Sequence, residues 1–246
     1  MITEHVPSDW LELQRDVAQV LEECGFAVEI ERSTEMARGS VKIDVYAEES
    51  HRGRRNTIIC ECKHWNSRVP QTIVHAFRTV VADTGANVGY IVGSSGFQSG
   101  AHEAARMANI RLLNWEEFQE EFLNQWLEEH VVPNLWHRLE DFLRWTEPLP
   151  PSPGRPLTSS EKAAFMELWG NLQPLVAVVQ PFMSYIRSMP NPPRFPILPL
   201  SSSEFRWAGN LPSEILEARG YREFLARITK HADAGLVALK AAAHAN

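Results

Sequence analysis

Cysteine is scarce and odd in number: Cys24, Cys60 and Cys62 are the only three in 246 residues. No signal peptide is read ahead of them, so a disulfide framework is excluded and a reducing, cytoplasmic setting is expected. Long apolar runs are also missing. The longest stretch, Leu175 to Ile186, is broken by Gln180, Pro181 and Ser184 and is too short to cross a bilayer, so no membrane span is expected. Positive charge is in deficit: 24 Lys and Arg face 31 Asp and Glu, for a net charge of −7. That balance argues against a protein that coats nucleic acid without selectivity, because phosphate binding draws on clustered Lys and Arg.

What is present suffices for a folded core, with 44% hydrophobic and 22% charged residues. The charge is unevenly spread. Residues 51–80 carry Arg52, Arg54, Arg55, Lys63, Arg68 and Arg78 against Glu61 alone, whereas residues 1–50 hold twelve acidic side chains. Trp10, Leu13, Val17, Val20, Leu21 and Cys24 recur at helical spacing and Gly25 supplies a stop, which predicts an amphipathic helix over residues 8–24. Gln14 falls within its apolar face, where a polar side chain needs a partner.

Three strands are expected next, at 26–31, 41–48 and 57–63, the last two forming a hairpin with a loop of about eight residues. A helix over 71–84 buries Ile73, Val74, Phe77, Val80 and Val81. Strand 88–92, helix 99–108, strand 110–113 and helix 115–129 follow. This α-β-β-β-α-β-α-β-α order describes an α/β mixed sheet flanked by helices. Residues 147–160 are rich in Pro, Ser and Gly and read as a semi-rigid linker. The expected organisation is therefore a domain over 1–146, the linker over 147–160, and an α-helical C-terminal domain over 161–246.

The chemistry sits where the charge reverses. Asp44 precedes the tripeptide Glu61-Cys62-Lys63 by seventeen residues. The two-residue period of a strand sets Ile59, Glu61 and Lys63 on one face and Cys60 and Cys62 on the other. If the hairpin pairs as expected, Asp44 approaches Glu61 closely enough to share a cation. Carboxylate oxygens and water suit Mg²⁺, with Mn²⁺ as the alternative. Such an ion polarises a phosphodiester and acidifies a bound water, while Lys63 offsets charge on the phosphoryl oxygens. Cys60, Cys62 and His64 alternate on a strand but lack the four ligands of structural zinc, so buried free thiols are expected.

These residues resemble the PD-(D/E)XK nuclease superfamily and are most similar to the Mrr-like restriction endonuclease catalytic domain. The likeness runs over about residues 8–120. It covers a first helix ending Leu-Glu-Glu-Cys-Gly-Phe, then Gly39 before Val41-Lys42-Ile43-Asp44, residues 58–65, residues 88–95, Phe97 and Ala101. The resemblance implies a restriction-endonuclease-like fold, Asp44 and Glu61 as metal ligands with the Cys62 backbone carbonyl as a third, and Lys63 as the catalytic lysine. It further implies an endonuclease acting on DNA, with RNA as an alternative, in bacterial defence against foreign DNA. Many relatives carry Glu where this chain has Gln14, and Gln where it has Glu61. Gln14 supplies a hydrogen bond to a metal-bound water but no charge.

Substrate contacts are expected from the basic surroundings, Arg52, Arg54, Arg55, Arg68 and Arg78, together with His64 and Gln71. The C-terminal helices are expected to serve assembly, as a homodimer or with a partner protein, or sensing. The competing reading is a catalytically inactive nuclease-fold module that binds nucleic acid or assembles with protein.

Overall fold

The computed structural model describes residues 1–36, 39–51, 53–148, 150–151, 156–200 and 210–244. The chain divides into two compact units, His5–His130 and a second made of Met1–Glu4 with Val131–Asn246.

The first unit opens with α1 (Trp10–Glu23), whose start is fixed by the Asp9 carboxylate accepting from the Glu12 N–H at 2.8 Å. Its end is set by Gly25 at φ +90°, a backbone shape that glycine adopts without steric cost. Three antiparallel strands follow: β1 (Ala27–Met36), β2 (Gly39–His51) and β3 (Arg54–Lys63). They run longer than the apolar pattern indicates. The β2–β3 ladder continues out to His51–Arg54, so most of the expected eight-residue loop is strand. Polar side chains on these outer arms hide the strands from hydropathy, because backbone pairing rather than burial holds them.

Next come α2 (Gln71–Thr84), β4 (Val88–Gly93), α3 (Ser99–Ala105), β5 (Ile110–Leu113) and α4 (Trp115–Trp126). Both later strands are parallel to β3, and the sheet order among the described residues is β1-β2-β3-β4-β5. Parallel pairing requires helical crossovers, which α2 and α3 provide. These two pack on one face through Val74, Phe77, Val81, Ala101 and Ala105 against Ile43, Ile59, Ile91 and Ile110. On the other face α1 and α4 meet the sheet. Phe118 and Phe122 of α4 surround Tyr90, with ring centroids at 5.8 and 5.5 Å.

In the second unit α5 (Val132–Thr146), α6 (Ser159–Val179) and α9 (Tyr221–His244) pack together, with short α7 (Ser184–Arg187) and α8 (Ser213–Leu216) between them. The division between units falls at His130 and Val131, ahead of the boundary expected at residue 147, because α5 packs with α6 and α9. The Pro-rich stretch lies partly outside the described residues. Helix α6 retains Pro174 inside it, and a capping box at Thr158 and Glu161 starts it.

The crossover depends on a glycine. A Cβ at Gly89 would lie 2.5 Å from Val81 Cγ2 and 2.7 Å from Phe77 Cε1, so α2 approaches β4 only because that atom is absent. Gly89→Ala is expected to destabilise the fold by about 1–3 kcal/mol, seen as a lower urea midpoint at unchanged slope.

Candidate active site

The site forms where β2 and β3 part. Val45–Cys60 is the last pair of their ladder, and Asp44 and Glu61 flank it on the open side. Asp44 Oδ2 accepts the Cys62 backbone N–H at 2.8 Å, so the first carboxylate reaches across to the strand that carries the second. Lys63 Nζ forms an ion pair with Glu61 Oε1, which places these two side chains on the same face as their spacing predicts. The Lys63 ammonium also stands 5.6 Å from the centroid of the half-exposed Trp65 ring.

Helix α1 supplies the third side. Gln14 is fully buried, and its Nε2 donates to the Asp44 backbone oxygen at 2.9 Å. That bond fixes the orientation of the amide, since a flipped group would set two oxygens against each other. Its Oε1 is consequently buried with no hydrogen-bond partner. Trp10, one turn earlier, hydrogen-bonds the Asp44 carboxylate through its side chain. Sequence reasoning counted Trp10 only as part of the apolar face; the usable signal was its i, i+4 relation to Gln14.

On the far side of β2 the backbone is strained. The β1–β2 ladder breaks between Ile30–Val45 and Arg32–Ile43, and there Glu31 takes φ +56° opposite Asp44. A non-glycine residue in this region costs roughly 1–3 kcal/mol, and such positions gather at functional sites. Glu31 pairs with Lys42 at 2.8 Å and adds a negative field at Asp44. Nothing in the sequence marked it.

Burial dominates the electrostatics. Desolvation raises the Asp44 carboxyl above the ordinary carboxylate range, opposed by the Cys62 N–H, Lys63 and Trp10. Desolvation likewise raises Glu61, opposed by Lys63 and reinforced by Asp44. Two neighbouring half-buried acids that share one lysine are short of positive charge. Among the described residues no group of three or more His, Cys, Asp or Glu side chains is placed to hold a metal ion. A cation here therefore relies on two carboxylates and on neutral oxygens. The orphaned Gln14 Oε1 is a neutral oxygen of this kind, and an all-oxygen donor set fits a hard divalent ion. The thiols do not compete: all three are buried and free, and burial pushes Cys24 up to about 12 and raises Cys60 and Cys62 as well.

The expected substrate contacts separate into two groups. His64, Arg68 and Gln71 stand at the carboxyl end of β3, in the connection from Lys63 into α2. His64 Nε2 lies 3.2 Å from the Pro7 carbonyl, Arg68 is exposed, and Gln71 lies over Gly100 at the start of α3. Arg54 and Arg55 begin β3, roughly 30 Å of extended chain from Lys63. Arg55 pairs with Glu48 at 3.2 Å. Arg78 lines a cavity of about 380 Å³ with Gly85 and Asn109, by the amino ends of β4 and β5. The structure thus does not bring Arg54, Arg55 and Arg78 to the carboxylates, and Arg52 lies outside the described residues. Charge clustered in sequence is dispersed in space because a strand carries successive residues steadily away.

Comparison with known proteins adds one domain match. A family model described as restriction endonuclease, the Mrr catalytic domain, matches residues 7–122. Two solved structures show likeness. One is a protein of unknown function, AF1548, at 16% identity and TM-score 0.38, covering 92% of this chain and 100% of that one. The other is the MspJI restriction endonuclease in complex with a 27-mer oligonucleotide, at 17% identity and TM-score 0.27, covering 50% of this chain and 27% of that one. No curated protein gives a significant match.

The raised carboxyls carry a linkage consequence. Because folding raises their pKa, the stability they contribute is present at low pH and is lost as pH rises through the raised values. Asp44→Asn, which retains an acceptor for the Cys62 N–H, is expected to raise Tm in metal-free buffer at neutral pH and to lose that advantage on acidification. Differential scanning calorimetry at the two pH values checks it.

Proposed function

We propose that the chain, whose residues 7–122 match the Mrr-like restriction endonuclease model, is a divalent-metal-dependent endonuclease that hydrolyses phosphodiester bonds in DNA. The observation that carries this reading is the junction at which Asp44 bonds to the strand of Glu61 and Lys63 while the Gln14 amide oxygen stays buried and unsatisfied. Asp44 and Glu61 would hold Mg²⁺, or Mn²⁺, with the Cys62 carbonyl as a further ligand. The bound ion supplies Lewis-acid polarisation of the phosphate and a more acidic water.

The chain's own residues divide the remaining work. Glu61 keeps Oε2 outside its bond to Lys63, so it need not abandon that partner to bind. Lys63 is held ready by Glu61, and its ammonium balances the negative charge that grows on the phosphoryl oxygens during attack. Gln14 Oε1 accepts a hydrogen bond from a water at the site and orients its lone pair. Trp10 and the Cys62 N–H hold Asp44 in place and oppose the desolvation that favours its neutral form.

Arg68, Gln71 and His64, at the same end of β3, are the contacts assigned to the substrate. The defence role follows from family analogy, and a cytoplasmic location from the three free thiols. Among the described residues no helix is long and apolar enough to cross a membrane. The helical unit is assigned to assembly, as a homodimer or with a partner, supported by the exposed Tyr185, Ile197 and Val237.

Gln14 in place of an acid favours a second reading, a silent nuclease-fold module that binds nucleic acid without cutting it. Titration calorimetry separates the two, because a silent module takes up no Mg²⁺ or Mn²⁺ dependent on Asp44 and Glu61. For the nuclease, plasmid DNA is expected to be cut in Mg²⁺ or Mn²⁺ and left intact in EDTA, with RNA and modified phage DNA as parallel substrates. Asp44→Ala and Glu61→Ala are expected to abolish cutting, and Lys63→Ala to lower kcat by about 10²–10³-fold, with circular dichroism unchanged. Cutting by Glu61→Ala at the wild-type rate would remove the mechanism.

A further inference from the structure

A cavity of about 300 Å³ opens beside the carboxyl ends of β3 and β4, one residue beyond Lys63. Its size is at the lower end of the roughly 300–1,000 Å³ typical of ligand sites. Pro7, Leu13 and Trp115 form apolar walls, and His64, Ser94 and Asn114 add polar groups. Trp115 is held in place by its Nε1 donating to the His5 carbonyl at 2.9 Å.

The hydrogen-bond inventory of the lining leaves specific vacancies. The Pro7 carbonyl can only accept, so His64 presents its proton on Nε2 and leaves Nδ1 as an acceptor. Asn114 uses its Oδ1 to cap α4, accepting from the Glu117 N–H at 2.9 Å. Its Nδ2 has no hydrogen-bond partner among the described residues. Glu116 lines the same cavity and is exposed.

The chemistry selects the occupant. The α4 terminus offers nothing to an anion, because the capping box fills it and Glu116 and Glu117 occupy its first turn. Glu116 repels a phosphate. A flat heterocycle instead meets an apolar slot with an indole wall, acceptors at His64 and Glu116, and a donor at Asn114. That pattern complements the edge of adenine or cytosine, each of which presents an amino donor beside a ring-nitrogen acceptor. We infer that this cavity takes one unstacked, amino-bearing nucleobase from the strand whose phosphate lies at Glu61 and Lys63. The inference rests on the nucleic-acid reading above for its class of ligand, and it makes the pocket a source of sequence preference next to the cut.

The test uses the full chain without metal and short DNA duplexes carrying 2-aminopurine, an amino-bearing adenine analogue whose fluorescence changes on leaving the stack, at successive positions. The expected result is a fluorescence change confined to one label position. His64→Phe, which keeps a ring and removes the acceptor, and Glu116→Leu should each abolish that change. Each should also weaken binding of the duplex labelled there by about tenfold relative to wild type. Glu116 is exposed, so its variant keeps the test valid if loss of the Pro7 tether prevents His64→Phe from folding. No change at any position, absence of binding included, overturns the pocket, as does an unaltered change in Glu116→Leu. Since the signal needs no cleavage, it is separate from the nuclease reading, which falls if wild-type protein in Mg²⁺ leaves the same duplexes intact.

Discussion

A carboxylate taken out of water at the point where two strands separate is the constraint on which the rest of the site depends. Asp44 cannot be buried as a lone charge, and its surroundings follow from that requirement. The Cys62 N–H, freed from the β2–β3 ladder by the divergence of the strands, turns toward it. Lys63 lies close enough to favour its charged form, and Trp10 adds a bond from the helix. Glu61 meets the same problem and resolves it through Lys63. Three elements, α1, β2 and β3, thereby converge on one pair of acids whose remaining deficit is positive charge.

The scaffold makes this convergence cheap to hold. Helix α1 sits on one face of the sheet and delivers Gln14 to the Asp44 backbone, while α2 and α3 seal the other face over Ile59 and Ile43. The loops that leave β3 and β4 run side by side, joined by Ser94 N–H to the Lys63 carbonyl at 3.0 Å and by a bridge between Val69 and Phe97. Ser94 and Ser95 both donate to the Trp65 carbonyl, at 2.9 and 2.5 Å. The segment after Lys63 is therefore braced, and a rigid support suits chemistry that depends on positioning. Strain is concentrated at Glu31, opposite Asp44, where the sheet yields to the site.

Much of this was legible in the chain. The helical period of 8–24, the alternation around Ile59 to Lys63 and the apolar run of 88–92 identify the elements, because each period reports which side faces the core. Glu61 and Lys63 share a face by spacing alone, and Gln14 stood out as a polar residue on an apolar face. Less was legible where pairing rather than burial holds the backbone. The outer arms of β2 and β3 carry polar side chains and looked like a loop, and α5 packs with the second unit although it precedes the Pro-rich stretch.

The sequence by itself determined the order of elements, the candidate acids and lysine, and the three thiols left unpaired. Only the tertiary structure decided that the described basic residues of 54–78 fall into two groups at opposite ends of β3, that Trp10 and Glu31 border Asp44, and that a cavity opens beside His64. The physical reason is the range of the interactions. Periodicity and turn chemistry are local and are written in neighbouring residues. Proximity across a sheet, desolvation and the satisfaction of a buried amide are set by residues distant in the chain, and they exist only once the fold has brought those residues together.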